Sequence, residues 1–171
     1  MSTPARHGHL EIDAATGLGV VVVEMTSPAP RETVWAAVST RDGLAAWAGE
    51  VEGELRSGGA YTAHLFPSGW EGAGRVLECE PGRRWRVEGA EEGQPAHVNE
   101  LTLAPAAGGD LTVITLTERG VPREMLHFYG VGVQLHLENL VAHLGGRPLV
   151  DPEAFWAGLL PEYERLAAEL P

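Results

Sequence analysis

Residues 17–26 (GLGVVVVEMT) form a short apolar run rich in β-branched side chains, which predicts a strand, and Ser27-Pro28-Ala29-Pro30 stops it. Pro30 suits the first turn of a helix. Over residues 31–39, Val34 and Val38 stand four apart with Trp35 beside them, giving one apolar stripe, and a second short helix is predicted over 42–47. From residue 51 to 119 the hydrophobic period falls to near two, broken by turn signals such as Ser57-Gly58-Gly59 and Pro81-Gly82. This predicts an antiparallel meander with strands over 51–56, 60–66, 70–79, 84–90, 96–104 and 110–118. Period 3.6 then returns. Over residues 123–144, Leu126, Tyr129, Gly130, Val133, Leu137, Leu140 and Leu144 fall within about 60° of Val133 on a helical wheel, and Gly145-Gly146 ends the helix.

Two features flank this pattern. Val131, Leu135 and Ala142 make a second apolar strip on the far side of the long helix, which another element must cover. Asp151-Pro152-Glu153 reads as a helix start, and Phe155, Trp156, Leu159, Tyr163, Leu166 and Leu170 supply a helical tail that could cover it, with Pro161 expected to break or kink that tail. The expected organisation is a flexible arm over residues 1–16, one domain over 17–146, and a helical tail over 147–171 packed on the domain.

Composition narrows the function classes. The 171 residues carry a formal net charge of −12, and every cation is an arginine. So acidic a chain, without a clustered basic stripe, is repelled by phosphate backbones and anionic leaflets, so neither nucleic acid nor membrane is expected as a partner. One cysteine, Cys79, cannot close an internal disulfide, and no apolar run is long enough to span a bilayer; a cytoplasmic location is the expectation.

The candidate chemistry is sparse. His136 and His143, seven apart on the long helix, lack the one-turn spacing of a chelating pair, so no metal is expected. Cys79 ends a strand beside acids, no G-x-S-x-G turn exists, and no glycine-rich segment leads from a strand into a helix; no cofactor is expected. Polar residues within predicted strands are the remaining candidates: His64, Arg75 and Glu100 orient a ligand's polar end if they face inward, and are ordinary solvated sheet residues if they face outward. Tyr129 lies on the inward stripe of the long helix with Val133 and Leu137, while Gln134 and His127 fall at its rim or surface. Trp47 and Trp70 are candidates for the wall or mouth of a cavity.

Strand, two short helices, meander and long helix is the order of a helix-grip fold: α+β, with a curved antiparallel sheet of six to seven strands wrapped around a C-terminal helix. Ala29-Pro30-Arg31-Glu32-Thr33-Val34-Trp35-Ala36-Ala37-Val38, followed by Leu44-Ala45-Ala46-Trp47, resembles the opening of the SRPBCC superfamily, which includes START, birch-pollen-allergen-like and polyketide-cyclase proteins. Gly53 to Gly59, Gly74 to Pro81 and Tyr129 to Val133 resemble its bacterial branch of heat-shock-ATPase activator homologues. That branch often has a Gly-Trp pair where this chain has Gly132-Val133, a change that widens the space beneath the helix if the position faces inward. The resemblance implies a cavity between sheet and helix.

Three readings follow. In the first, the protein binds a small apolar or amphipathic molecule through Trp47, His64, Trp70, Arg75, Glu100, Tyr129, Val133 and Leu137. The second is a cyclase- or hydrolase-type enzyme with His64 and Glu100 as acid and base and Arg75 steadying an anion. The third is a homodimeric or co-chaperone-like interaction module using the outer strip of the long helix or the tail aromatics.

Overall fold

The computed structural model describes residues 7–107 and 109–171. Eight strands form one open antiparallel sheet: β1 His9–Ile12, β2 Gly19–Ser27, β3 Gly49–Gly53, β4 Ala60–Leu65, β5 Trp70–Glu80, β6 Arg84–Ala90, β7 His97–Pro105 and β8 Thr112–Val121. The spatial order is β1-β2-β8-β7-β6-β5-β4-β3. Helices α1 (Arg31–Ser39) and α2 (Arg41–Ala45) connect β2 to β3, so the chain crosses from one side of the sheet to its far edge before the meander returns. A short 3₁₀ turn, Arg123–Met125, leads into α3 (Leu126–Leu144), and α4 (Pro152–Ala168) follows. This is a helix-grip fold with one strand more than the hydrophobic pattern indicates.

The added strand corrects the expectation of a flexible arm. Residues 9–12 pair with β2, Leu10 opposite Val21, and Leu10 is buried in the core. Alternating His-Leu-Glu-Ile is too short a repeat to announce a strand; β2 supplies the partner that makes it one. Gly8 is held as well, its N–H donating to the Tyr163 hydroxyl at 2.8 Å. The earlier part of the expected arm, residues 1–6, lies outside the described residues.

Helix α3 packs against β2, β8, β1 and α4. It thus rests on one half of the sheet and stands clear of most of the other half. Val133, Leu137 and Leu140 face the sheet-side core with Val21, Val23, Leu101, Leu116 and Ile114. The opposite strip, Val131, Leu135 and Ala142, is fully covered. Gly130 is where α4 comes closest: a Cβ there would stand 2.3 Å from the Tyr163 ring, so only glycine admits the close approach. Gly146, with φ of 67°, turns the chain out of α3, and Arg147 N–H closes on Ala142 O at 2.9 Å.

Two sequence expectations change here. Gln134, placed at the rim by its wheel angle, is buried and accepts from the Tyr163 hydroxyl at 2.6 Å, because α4 covers that side of α3. Pro161 does not end α4, which runs through it to Ala168. The proline costs one backbone bond on an exposed turn, while Leu159 and Tyr163 on either side of it are buried against the body of the protein.

Candidate functional site

Strand parity decides which side chains meet the helix. On β4 the residues facing α3 are Tyr61, Ala63 and Leu65; on β6 Trp85, Val87 and Gly89; on β7 His97, Asn99 and Leu101; on β8 Leu116 and Glu118. Together with α2, α3 and the start of α4 they enclose a cavity of about 360 Å³. Its volume exists because α3 leans on the β2 side of the sheet and because the inner face of β5 and β6 carries glycines. Tyr61 covers Gly74, Trp70 covers Gly72, and both rings approach Gly89 so closely that a Cβ there would meet the Tyr61 hydroxyl oxygen at 3.0 Å. The two aromatic rings therefore pack against bare backbone and leave the space above them open.

Helix α3 contributes the opposite wall through Tyr129, Gly132, Val133, His136, Leu137 and Leu140. Gly132 is unlike Gly130: a Cβ built on it meets no heavy atom within 4 Å. A mid-helix glycine costs about 1 kcal/mol relative to alanine, and here no close contact offsets that cost. The small residue simply leaves room in the cavity.

Of the residues expected at the site, Trp47, Trp70, Tyr129, Val133 and Leu137 line the cavity. Trp47 is fixed in place by its Nε1–H, which donates to Ala37 O at 2.9 Å. His64, Arg75 and Glu100 are placed elsewhere, on the outer face of the sheet. His64 is exposed and packs edge-on against Phe66, with ring centroids 5.3 Å apart. Arg75 is exposed and lies across from Ala60 and Glu88 in the ladder. Glu100 accepts from Arg84 Nη2 at 2.6 Å and Nε at 2.8 Å, in an outer-face network with Arg86 and Glu78. His64 and Glu100 both lie on the face turned away from the cavity, so they cannot act as an acid–base pair on a molecule bound in it.

Apart from Tyr129, the polar groups that face inward are not among the expected site residues. His97 Nδ1 lies 3.1 Å from Glu118 Oε1, and the two side chains are only 8% and 10% exposed. Asn99 is the direct cross-strand neighbour of Glu118 and also lines the cavity. The His97 ring meets Tyr129 edge-on, centroids 4.7 Å apart. Burial first, then the charges of Glu118 and Glu91, push the Tyr129 hydroxyl upward, so it remains a protonated donor. Trp85 Nε1–H is buried and has no acceptor among the described residues. Where the β4–β5 turn meets α3, His136 Nε2 lies 2.9 Å from Ser68 Oγ, and burial pushes its pKa down to about 4. No arginine lines the cavity, and among the described residues no group of three or more His, Cys, Asp or Glu is arranged to hold a metal ion.

The signal for the missed residues was present in the alternation. Leu101 and Leu103 fix the inner parity of β7, which carries His97 and Asn99 inward with them; Ile114 and Leu116 do the same for Glu118. On β5 the parity is hidden, because the inward positions Gly72 and Gly74 are not hydrophobic.

An open sheet gripping a helix, with a largely apolar cavity between them and a few polar groups at one end, defines an SRPBCC-type helix-grip protein. The chain belongs to the family described as Activator of Hsp90 ATPase homolog 1-like protein, whose pattern matches residues 28–145. Among solved structures it is similar to CalU16 from Micromonospora echinospora, with 25% identity and a TM-score of 0.78 over 95% of this chain and 98% of that one. It is also similar to DynU16, a protein of the dynemicin biosynthetic locus, with 24% identity and a TM-score of 0.69 over 78% of this chain and 50% of that one. A protein encoded by gene BPP1335 of Bordetella parapertussis shares the fold at 21% identity, TM-score 0.70, over 96% of this chain and 95% of that one. No curated protein matches the chain closely enough to carry a comparison.

Proposed function

We propose that the protein binds a small, predominantly apolar and uncharged molecule in the cavity between α3 and the sheet. The observation that carries this reading is an apolar space of about 360 Å³ with polar groups gathered at His97, Asn99, Glu118 and Tyr129. A drug-sized pocket typically has this composition: greasy walls for affinity and a few placed polar atoms for orientation. Glu118 and Glu91 with no lining arginine, in a chain of net charge −12, disfavour an anionic ligand. The similarity to DynU16, a protein of the dynemicin biosynthetic locus, supports a role in small-molecule metabolism.

N-Phenyl-1-naphthylamine, a neutral fluorophore that brightens in apolar surroundings, tests the reading. The wild-type protein is expected to enhance its emission saturably and to unfold at a higher temperature in its presence, the folded state gaining about 2.7 kcal/mol at a probe concentration one hundred times Kd. Gly132→Phe projects a ring into the open space at that position and is expected to abolish both effects while keeping the circular dichroism of the fold. Uptake by the folded Gly132→Phe protein equal to wild type, or no uptake by wild type, overturns the proposal.

A further inference from the structure

We propose that the inward cluster is a proton-transfer site, with His97 as general base, Tyr129 as hydrogen-bond donor to the oxygen that takes up charge, and Glu118 as the residue that positions His97. The inference rests on the cavity being a binding site, and adds a reaction to it. A carboxylate only accepts hydrogen bonds, so Glu118 facing Nδ1 at 3.1 Å places the imidazole proton on Nδ1 and leaves the lone pair on Nε2. Among the described residues Nε2 has no hydrogen-bond partner. His97 lines the cavity, and Nε2 is the ring nitrogen left free to meet a substrate there. A histidine oriented by a buried carboxylate and open at its second nitrogen is the arrangement used for general-base chemistry.

The Tyr129 ring, 4.7 Å from that of His97, carries a hydroxyl without a protein partner among the described residues. Its raised pKa keeps it a donor. The neighbouring lining by Trp85, Val87, Leu101 and Val133 is apolar, which lowers the local dielectric and strengthens both interactions. The substrate class that fits is a neutral, apolar carbonyl compound with an acidic C–H beside the carbonyl. In the forward step the C–H bond breaks, its proton passes to Nε2, and the bonding pair forms the enolate C=C as the carbonyl pair moves to oxygen, where Tyr129 donates. Return of a proton from Nε2 to the same carbon regenerates neutral His97 and completes an exchange, with no other reactant consumed.

2-Tetralone in D₂O measures this step directly, because deuterium enters its carbon beside the carbonyl only through the enolate. Exchange is expected to run about 100-fold faster than with free imidazole at the same concentration. His97→Ala should remove the gain and added imidazole should restore part of it; if that variant does not fold, His97→Gln is read instead. Tyr129→Phe should lower kcat at least tenfold. Glu118→Gln should lower kcat at unchanged KM, the mark of a positioning role rather than of lost binding. If 2-tetralone displaces N-phenyl-1-naphthylamine yet exchanges no faster than with the His97 variant, the proton-transfer site is overturned and the binding reading stands. If neither molecule enters the cavity, both readings fall.

Discussion

Two glycines two positions apart on one helix make opposite demands. At Gly130 a Cβ would strike the Tyr163 ring at 2.3 Å, whereas at Gly132 it would meet nothing within 4 Å. Gly130→Ala is therefore expected to destabilise the protein: overpacking costs about 1–3 kcal/mol and outweighs the helix-propensity gain. Gly132→Ala should stabilise it by about 1 kcal/mol. Urea unfolding of the two variants reads the contrast, and equal shifts of the same sign would contradict the packing described. His136 gives a pH test. Its pKa falls from 6.5 to about 4 on folding, through burial, so between those values the unfolded chain binds the extra proton. This contribution to stability is whole above about pH 6.5 and is lost as the pH drops towards 4. Glu162, held below its usual range by the hydrogen bond from Arg165, adds its own loss only at lower pH. His136→Gln, which keeps a polar partner for Ser68, should flatten the stability profile between pH 6.5 and 4.5; an unchanged slope would show that burial of His136 is not its source.

At the scale of elements, α4 has two tasks. It covers α3 through Leu159 and Tyr163, and it brings Trp156 to the cavity beside Phe128, ring centroids 6.3 Å apart. Ending the chain at Gly146 removes both, along with the Gly8–Tyr163–Gln134 hydrogen bonds. The two buried side chains alone contribute about 1.5–3 kcal/mol each. The shortened protein is expected to lose at least about 3 kcal/mol and to self-associate in sedimentation, because the uncovered face of α3 becomes an exposed apolar patch. A shortened chain that stays monomeric at full-length stability would contradict this. The third reading from sequence, association through the outer strip of α3, consequently requires α4 to leave that face. Alternation read strand by strand located most of the sheet, yet it assigned His64, Arg75 and Glu100 no face, because a polar residue between two apolar ones fits either side until neighbouring strands fix the register.

For the whole molecule, charge and cavity point the same way. On the outer sheet face Arg84 and Arg86 bind Glu78 and Glu100, while the cavity is lined by carboxylates without arginine. On the proposed reading, a net charge of −12 and such a lining are expected to disfavour anions at both entry and binding. Neutral N-phenyl-1-naphthylamine should therefore be taken up far better than its sulfonated analogue, 8-anilinonaphthalene-1-sulfonate, in fluorescence titrations. A preference for the sulfonate would reverse the inferred ligand charge.

Local pattern was enough to set the order of elements, the stripe on α3 and the helix-grip architecture, because periods of two and 3.6 depend only on neighbouring residues. It also marked Trp47, Trp70, Tyr129, Val133 and Leu137, whose size and placement on apolar faces draw them inward. The pairing of His97 with Glu118 belongs to tertiary structure alone. Those residues are far apart in the chain and meet because β7 and β8 lie side by side in one particular register. The cavity is likewise a tertiary property, since its volume depends on how α3 packs over the sheet: Gly130 lets α4 close on one side of the helix, while Gly132 leaves open space on the side that lines the cavity.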